Sequence, residues 1–564
     1  MAGTADHRDD AEGVTLPVNR VAVLGSLIAS LSLFFLPLVE LKPNRLASGI
    51  PFYLLQLEGD LRYPVLFALA LAPLLVALRP PDAIRGGLLA GIGNALLFLT
   101  LYLPAVAGEN LIALAPELLD PGVRLSNPRV LPSAALALGL FGAYTVVYGG
   151  LRDLAEAGVS RSGRAVWAWG GVALAGAAAF AGYFDVYSIL VELEARGQQL
   201  AQRTVEHVMF VAVALAIGLV LGVGLGLWAH RDRRVSPVIL YLVGIIQTIP
   251  SLALFGVLLV PLARLGDQRA LDVGLVFLVT LLLAGLLLLV YRPLSTRLRG
   301  QGRQFLTLGV ALVAAVPLAL STVVVASFLF RVSFIAFTSQ AGTLPMLRAV
   351  MLVALIASVV LQLAARRLRA GTGQRLLGRG SMVALAGLGV VLVVAFVQAS
   401  QQFLVRVESV GTLTVRELGV SGIGPAPAVI ALTLYSLLPL VRNTYAGLVN
   451  VDPAVIDSGR GMGMTAAQRF MQVELPLALP VIIAGVRSAS VALVGIAAIA
   501  TVIGAGGLGD FILGGIINTS IDQILLGALP AVLLAVFLDA VWRAGERLIV
   551  SPGIQQATAE GSQA

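Results

Sequence analysis

The residues that could do chemistry in this chain are few and widely spaced. Gly504, Gly506 and Gly509 spell G-x-G-x-x-G, a pattern that cradles a dinucleotide pyrophosphate when it joins a strand to a helix. Here an apolar, helix-like run precedes them, and no acidic residue stands about twenty positions beyond. We therefore expect no dinucleotide site. Together with Gly507 and Asp510, these glycines form either an external gate or a re-entrant connection.

Thiol, metal and ATP chemistry find no support either. Cysteine is absent, which removes disulfides, thiolate metal sites and cysteine nucleophiles. The histidines, His7, His207 and His230, are scattered near predicted membrane edges, so the sequence predicts no metal site. A Walker-type phosphate loop needs Gly-Lys, and the only lysine, Lys42, follows Leu41. We expect a chain that is not an enzyme and binds no cofactor itself.

Composition places the chain in a membrane. Of its 564 residues, 58% are hydrophobic and 12% charged, and the mean hydropathy is +0.94. A net charge of +8 would suggest nucleic acid in a soluble protein. Here the arginines cluster in loops between apolar runs, as the positive-inside rule requires, so no nucleic-acid partner is expected. The sequence predicts a multi-pass protein of the bacterial plasma (inner) membrane with both termini cytoplasmic.

Apolar runs of about 17 to 25 residues predict an all-α polytopic fold with about fourteen transmembrane helices. With the N-terminus inside, arginine-dense loops such as 291–304 and 366–379 fall in the cytoplasm, whereas 40–60, 108–129 and 184–207 fall outside. The predicted spans are 21–39, 62–78, 86–106, 130–148, 165–184, 208–229, 238–262, 271–290, 305–330, 347–365, 381–400, 425–441, 480–503 and 522–542.

Polar and proline residues interrupt two of these runs at membrane depth. Irregular backbone there is tolerated where it is buried in protein or lines an aqueous cavity, which favours a translocation pathway. The alternatives are a proline kink satisfied by neighbouring helices and, for the tyrosine, simple packing. The pathway candidates are Gln247, Thr248, Pro250 and Ser251 in one run and Tyr435 and Ser436 in the other.

A long polar segment, VDPAVIDSGRGMGMTAAQRFMQVELP at 451–476, lies between two apolar runs. It resembles the E-A-A-x3-G-x9-I-x-L-P loop of ABC importer permeases, and the matching positions are Asp457, Ser458, Gly459, Gly463, Val473, Leu475 and Pro476. The resemblance implies two short helices joined at Gly463 that dock on a separate ATPase. Glycine adopts the positive φ of such a turn without steric cost. The alternative is an amphipathic loop lying on its own helices.

Further similarity extends over 204–266 and 421–543, which resemble the permeases of glycine betaine, choline and related osmoprotectant importers. Residues 41–49, LKPNRLASG, resemble the N-terminal extension of one branch whose members carry extra helices. Two features depart from the family: Asp-Ser-Gly replaces E-A-A, and 267–420 is inserted between the second and third helices of the five-helix type I permease core. Because both flanking helices meet the insertion outside, it must contain an even number of spans, and we count four.

The resemblance implies a transmembrane permease subunit working with an ABC ATPase dimer, an extracytoplasmic substrate-binding protein and a second permease copy or paralogue in the lipid bilayer. An aromatic cage in the binding protein would select a quaternary ammonium. Alternatives are a permease for another small solute, such as an amino acid or sulfonate, and an ion-coupled secondary transporter. The predicted domains are tail 1–20, extension 21–184, external amphipathic segment 185–207, core 208–266, insertion 267–420, core 421–546 and tail 547–564.

Overall fold

Two compact units make up the part of the chain that the structure describes. The computed structural model describes residues 18–43, 49–56, 62–118, 128–276 except 233, and 414–549 except 418, with isolated residues between 278 and 401. The N-terminal unit comprises Met1–Gly197 with Gly515–Leu526, and the core unit comprises Gln198–Gly514 with Gly527–Ala564. The short stretch 515–526, assigned to the core from sequence, thus clusters with the N-terminal extension.

Helices dominate the N-terminal unit, and three of them form its centre. α1, α3 and α5 approach closely at glycines: a Cβ on Gly25 would lie 2.7 Å from the Gly142 carbonyl oxygen, and one on Gly150 would lie 2.6 Å from the Gly86 oxygen. Small residues therefore let these helices pack backbone to backbone, as is usual in membranes. The helices are α1 (Arg20–Phe35), α2 (Arg62–Val76), α3 (Ala83–Ala113), α4 (Ala115–Leu118), α5 (Ala134–Glu156) and α6 (Arg161–Phe180).

A three-stranded antiparallel sheet covers one end of this bundle. It has the order β2-β1-β3, with β1 (Pro37–Lys42), β2 (Ile50–Tyr53) and β3 (Arg129–Pro132). Tyr187 pairs with Val130 at the β3 edge. Its hydroxyl donates to the Leu101 carbonyl at 2.6 Å, and burial raises the pKa of this phenol above its usual value. Segments of three loops that we placed outside therefore meet on one side of the unit.

A buried polar network closes the opposite end of the bundle. Arg85 and Asp153 are each 3% exposed and form a bidentate ion pair, with Nε–Oδ2 and Nη2–Oδ1 distances of 2.7 Å. The Asn19 amide donates to Asp153 Oδ2 at 2.9 Å, and Arg85 Nη1 donates to the Arg79 carbonyl at 2.7 Å. Such charges are tolerated because each finds partners.

The core unit is built from long helices around a continuous apolar core. α7 approaches α10 through Gly218, Gly222 and Gly226, where added Cβ atoms would collide with Ser436, Leu440 and Thr444. The one-face spacing of these glycines thus serves helix packing. The helices are α7 (Ser188–Arg231, which begins in the N-terminal unit), α8 (Ser236–Thr248), α9 (Ser251–Gly266), α10 (Pro425–Val449), α11 (Pro453–Gly461), α12 (Ala466–Arg469), α13 (Leu475–Ile499), α14 (Gly509–Ile517) and α15 (Ile521–Ile549).

The prediction of an all-α fold needs correction, and the predicted count of about fourteen spans is not confirmed. The chain is mostly helical, but the sheet above is also present, and among described residues six helices, or seven counting one bent pair, are long and apolar enough to span. The predicted run 21–39 is helical only as far as Phe35, because Leu36 turns extended and Pro37 lacks an N–H donor, so α1 is shorter than the predicted span. α2 is also short, and α6 (the run 165–184) is not among the six.

The remaining differences concern the second core helix and the insertion. The run 238–262 is a bent pair, because α8 and α9 meet at 99° around Ile249 and Pro250. Four predicted spans, 271–290, 305–330, 347–365 and 381–400, fall largely outside the described residues. The count of fourteen is therefore not confirmed.

The two ends of the predicted insertion meet. Gly266 O accepts the Arg416 N–H at 2.9 Å, and Gln268 O accepts that of Val415 at 2.9 Å. The Arg416 side chain also pairs with Asp267. The chain thus leaves the core and returns to it at one point, which we call the neck.

Candidate coupling loop and translocation path

The polar segment 451–476 contains two short helices separated by a tight turn. A side-chain cap starts the first helix, because the carboxylate of Asp452 accepts the Ala454 N–H at 2.8 Å. α11 ends at a turn in which Gly463 has a φ of +78° and its N–H donates to Arg460 O at 3.0 Å. A capping box then begins α12, because Thr465 and Gln468 exchange side-chain and backbone hydrogen bonds.

The first matched positions lie on α11. Asp457 and Ser458 are exposed, and Asp457 pairs with Arg460 at 2.9 Å. Gly459 is buried, but a Cβ there would make only ordinary contacts of 3.5 Å with Arg469 and Met464. The alanine usual in the E-A-A pattern would therefore fit. The docking roles of these residues stay a prediction.

The second half of the motif joins the loop to α13. Val473 lies in a π-helical turn, Phe470–Glu474, and Leu475 and Pro476 open α13 directly after it. Pro476 therefore sits within one nearly continuous helical stretch, 466–503, and not after a loop. The wider π turn provides room for the proline ring. The missing N–H of proline would otherwise interrupt the hydrogen bonds of a regular α-helix.

Glu474 anchors this turn, and its role was not predicted from the sequence. Its side chain is 8% exposed and accepts from Arg469 Nε at 2.7 Å, while His230 Nε2 lies 3.7 Å away. The Arg231 guanidinium lies 5.9 Å from the Phe470 ring centroid. The sequence signal that could have identified Glu474 is a carboxylate placed one residue before an apolar helix. The π turn is thus tied to the end of α7.

α11, in contrast, is separated from the membrane helices by open space. A cavity of about 650 Å³ lies between it, the start of α8 and the end of α10, with Ser236, Tyr445 and Ile456 among its lining residues. The same polar segment exposes three apolar side chains, Val455, Met462 and Met471. Exposed apolar side chains of this kind can contact a partner protein, and the docking role of the segment stays a prediction.

The pathway candidates divide into two groups. Gln247, Thr248 and Pro250 are exposed and Ser251 half-buried at the α8–α9 bend. The Tyr435 hydroxyl donates to the Ile249 carbonyl that the bend frees from helical bonding. Ser436 is 1% exposed and donates to Thr433 O at 2.6 Å, facing Gly218 of α7. The bend therefore presents polar atoms to the surface of the chain, whereas Ser436 serves helix packing. Their roles in transport remain predictions.

The glycine-rich turn adopts a conformation open only to glycine. Gly504, Gly506 and Gly507 have φ values of +72°, +93° and +84°. Gly509 begins α14, and a Cβ there would lie 2.0 Å from the Ala498 oxygen. Asp510 accepts from the Thr501 hydroxyl. Within the core unit, the turn follows the helical stretch 466–503 and leads into α14, so the glycines do not join a strand to a helix.

Long apolar helices, a polar loop of two short helices and a bent helix pair are the features of a polytopic membrane protein. Residues 379–550 match the family described as binding-protein-dependent transport system inner membrane component. Residues 19–190 match the N-terminal domain of the ABC transporter permease YehY. These matches confirm the resemblance to ABC importer permeases. The first match begins inside the predicted insertion, and the second covers the extension.

Curated relatives indicate which kind of permease this chain is similar to. The chain is 44% identical over 135 residues to the choline transport system permease protein OpuBB of Bacillus subtilis, and 42% over 134 residues to its glycine betaine/carnitine/choline permease OpuCB. It is 48% identical over 134 residues to the osmoprotectant import permease OsmW of Salmonella typhimurium. Each alignment covers 24% of this chain and 62% of the relative, which is less than two thirds of the relative's length.

Proposed function

We propose that this chain is the transmembrane permease subunit of an ATP-driven importer for glycine betaine, choline, carnitine or a related osmoprotectant. The observation that carries the proposal is the segment 451–476, in which two short helices are joined at a positive-φ glycine and the second continues into α13. The matched relatives are permeases of such importers, which supports the substrate class.

Partner subunits complete the transporter. A separate ATPase dimer uses ATP and Mg, and its closure pushes on α11 and α12. An extracytoplasmic binding protein delivers the solute and selects it. A second permease copy or paralogue completes the path, with the polar α8–α9 bend facing it. Exposed Val455, Met462 and Met471 give the ATPase an apolar contact on an otherwise polar loop.

The loop assignment is tested by two substitutions with different expected effects. Gly463→Val places a β-branched residue at a φ of +78°, so we expect normal membrane insertion without transport. Asp457→Arg reverses an exposed charge on α11 and should weaken copurification of the ATPase. Gly461→Ala, at a nearby glycine with open space around it, is the matched control. Normal ATPase binding and ligand-stimulated hydrolysis in both variants would refute the assignment.

A further inference from the structure

A charge network fixes the turn 504–510 to α7 within the core unit. Arg203 Nη1 lies 2.7 Å from Glu206 Oε2, and its Nη2 lies 2.9 Å from Asp510 Oδ2. The same Glu206 oxygen accepts the Gly507 N–H at 3.1 Å. One guanidinium therefore bridges a carboxylate on the helix and a carboxylate at the end of the turn. We call these three side chains the clamp.

The turn is shaped to fit the clamp. A Cβ on Gly506 would lie 2.7 Å from both Arg203 Nη1 and Glu206 Oε2, so a side chain there would displace these two groups. Leu508 and Phe511, at 0% and 2% exposed, anchor the other side of the turn in the core. Tight fit on one side and charge pairing on the other give the turn one well-defined closed position.

The clamp differs in burial between its two halves. The Glu206 side chain is 9% exposed, whereas those of Arg203 and Asp510 are each 29% exposed. A partly exposed ion pair is weak enough to break and re-form, because water compensates the separated charges. Arg203 can thus release Asp510 and keep Glu206, which makes the Asp510 contact the part that opens.

We propose that Arg203 is the positioning residue of a gate formed by 504–510 on the predicted external side. The clamp holds the gate closed until ATP and delivered solute drive the transporter through its cycle. The proposal rests on the proposed importer function, since a gate needs a path to close. Substitutions at Arg203 should then loosen the turn without abolishing assembly with the ATPase.

Thiol accessibility tests the clamp directly, because the chain has no cysteine. Ala505, 8% exposed, lies in the turn, so Ala505→Cys should react slowly with an impermeant maleimide. Adding Arg203→Gln or Asp510→Asn should raise the labelling rate about two- to fivefold, the scale of a lost partly exposed ion pair. Arg203→Lys should keep labelling slow. Arg416→Gln, which removes an exposed ion pair at the neck, is the control and should change nothing.

Hydrolysis by the reconstituted transporter gives the second readout. Arg203→Gln should raise ATP hydrolysis without ligand severalfold, whereas the swap Arg203→Asp with Asp510→Arg should bring the ligand-free rate part of the way back to normal. Rapid labelling of Ala505→Cys alone, or equal rates with and without Arg203, would overturn the clamp. A wild-type chain that assembles with no ATPase would refute the proposed function instead, and the labelling rates would still decide the clamp.

Discussion

Arg469 and Glu474 form an ion pair across the π-helical turn that joins the polar loop to α13, with Nε and Oε1 2.7 Å apart. The pair is largely buried, at 19% and 8% exposure, so it is shielded from solvent. α11 rests over a cavity, but α12, the π turn and α13 form one helical stretch. We therefore expect force applied to the loop to reach α13 through Glu474.

Glu474→Gln should uncouple hydrolysis from transport. The substitution removes the charge that Arg469 and His230 face while keeping the size of the side chain. We expect solute transported per ATP to fall about five- to tenfold, the usual scale of coupling between sites, with ATPase binding retained. Parallel measurement of flux and phosphate release in proteoliposomes checks this. Gln472→Ala, exposed on the same turn, is the control, and an unchanged ratio in Glu474→Gln would contradict the expectation.

The Arg85–Asp153 pair should stabilise the N-terminal unit strongly. Asp153→Asn leaves a buried guanidinium without its charge partner, which costs about 3–5 kcal/mol. Glu156→Gln on the same helix breaks only the exposed pair with Arg152, so about 0.5 kcal/mol or less is expected. Thermal unfolding in detergent, followed by fluorescence, compares the two. Equal melting temperatures would show that the buried pair contributes nothing beyond the exposed one.

Much of the local structure could be predicted from the sequence because its causes are local. The turn at Gly463 could be predicted because helix-forming segments flank this glycine. The shared helix face of Gly218, Gly222 and Gly226 follows from the helical period alone. The sheet was missed because β3, one of the two partners of β1, comes from a later loop, and the pattern around Val39 continues an apolar helix. Arg203 was missed because its partner Asp510 lies far along the chain.

The neck supports the prediction that the inserted block can be removed. A backbone hydrogen bond joins Arg416 to Gly266. Deleting 270–413 and linking the two ends should therefore leave α10 in its orientation. We expect some transport to remain, because extra helices packed on the lipid-facing side would be dispensable. The alternative is that they form part of the path or a regulatory site. Complete loss of flux in a correctly inserted deletion variant would favour that alternative.

Single cysteines test the four-span count for the same block. Ser295, Gly373 and Ser409 lie outside the described residues, and we expect the first two in the cytoplasm and the third outside. Only a cysteine at Ser409 should react with an impermeant maleimide in intact cells, and all three should react after lysis. Labelling at Ser295 from outside would refute the count.

We expect this chain to carry an osmoprotectant across the membrane, driven by ATP hydrolysis in a partner subunit. The most direct measurement is radiolabelled glycine betaine flux into proteoliposomes that contain the chain, its ATPase and its binding protein. We predict uptake that requires both partners and ATP, persists without a proton gradient, and is inhibited by unlabelled choline or carnitine. Uptake that continues without nucleotide and follows an imposed proton gradient would contradict the account and identify a secondary transporter.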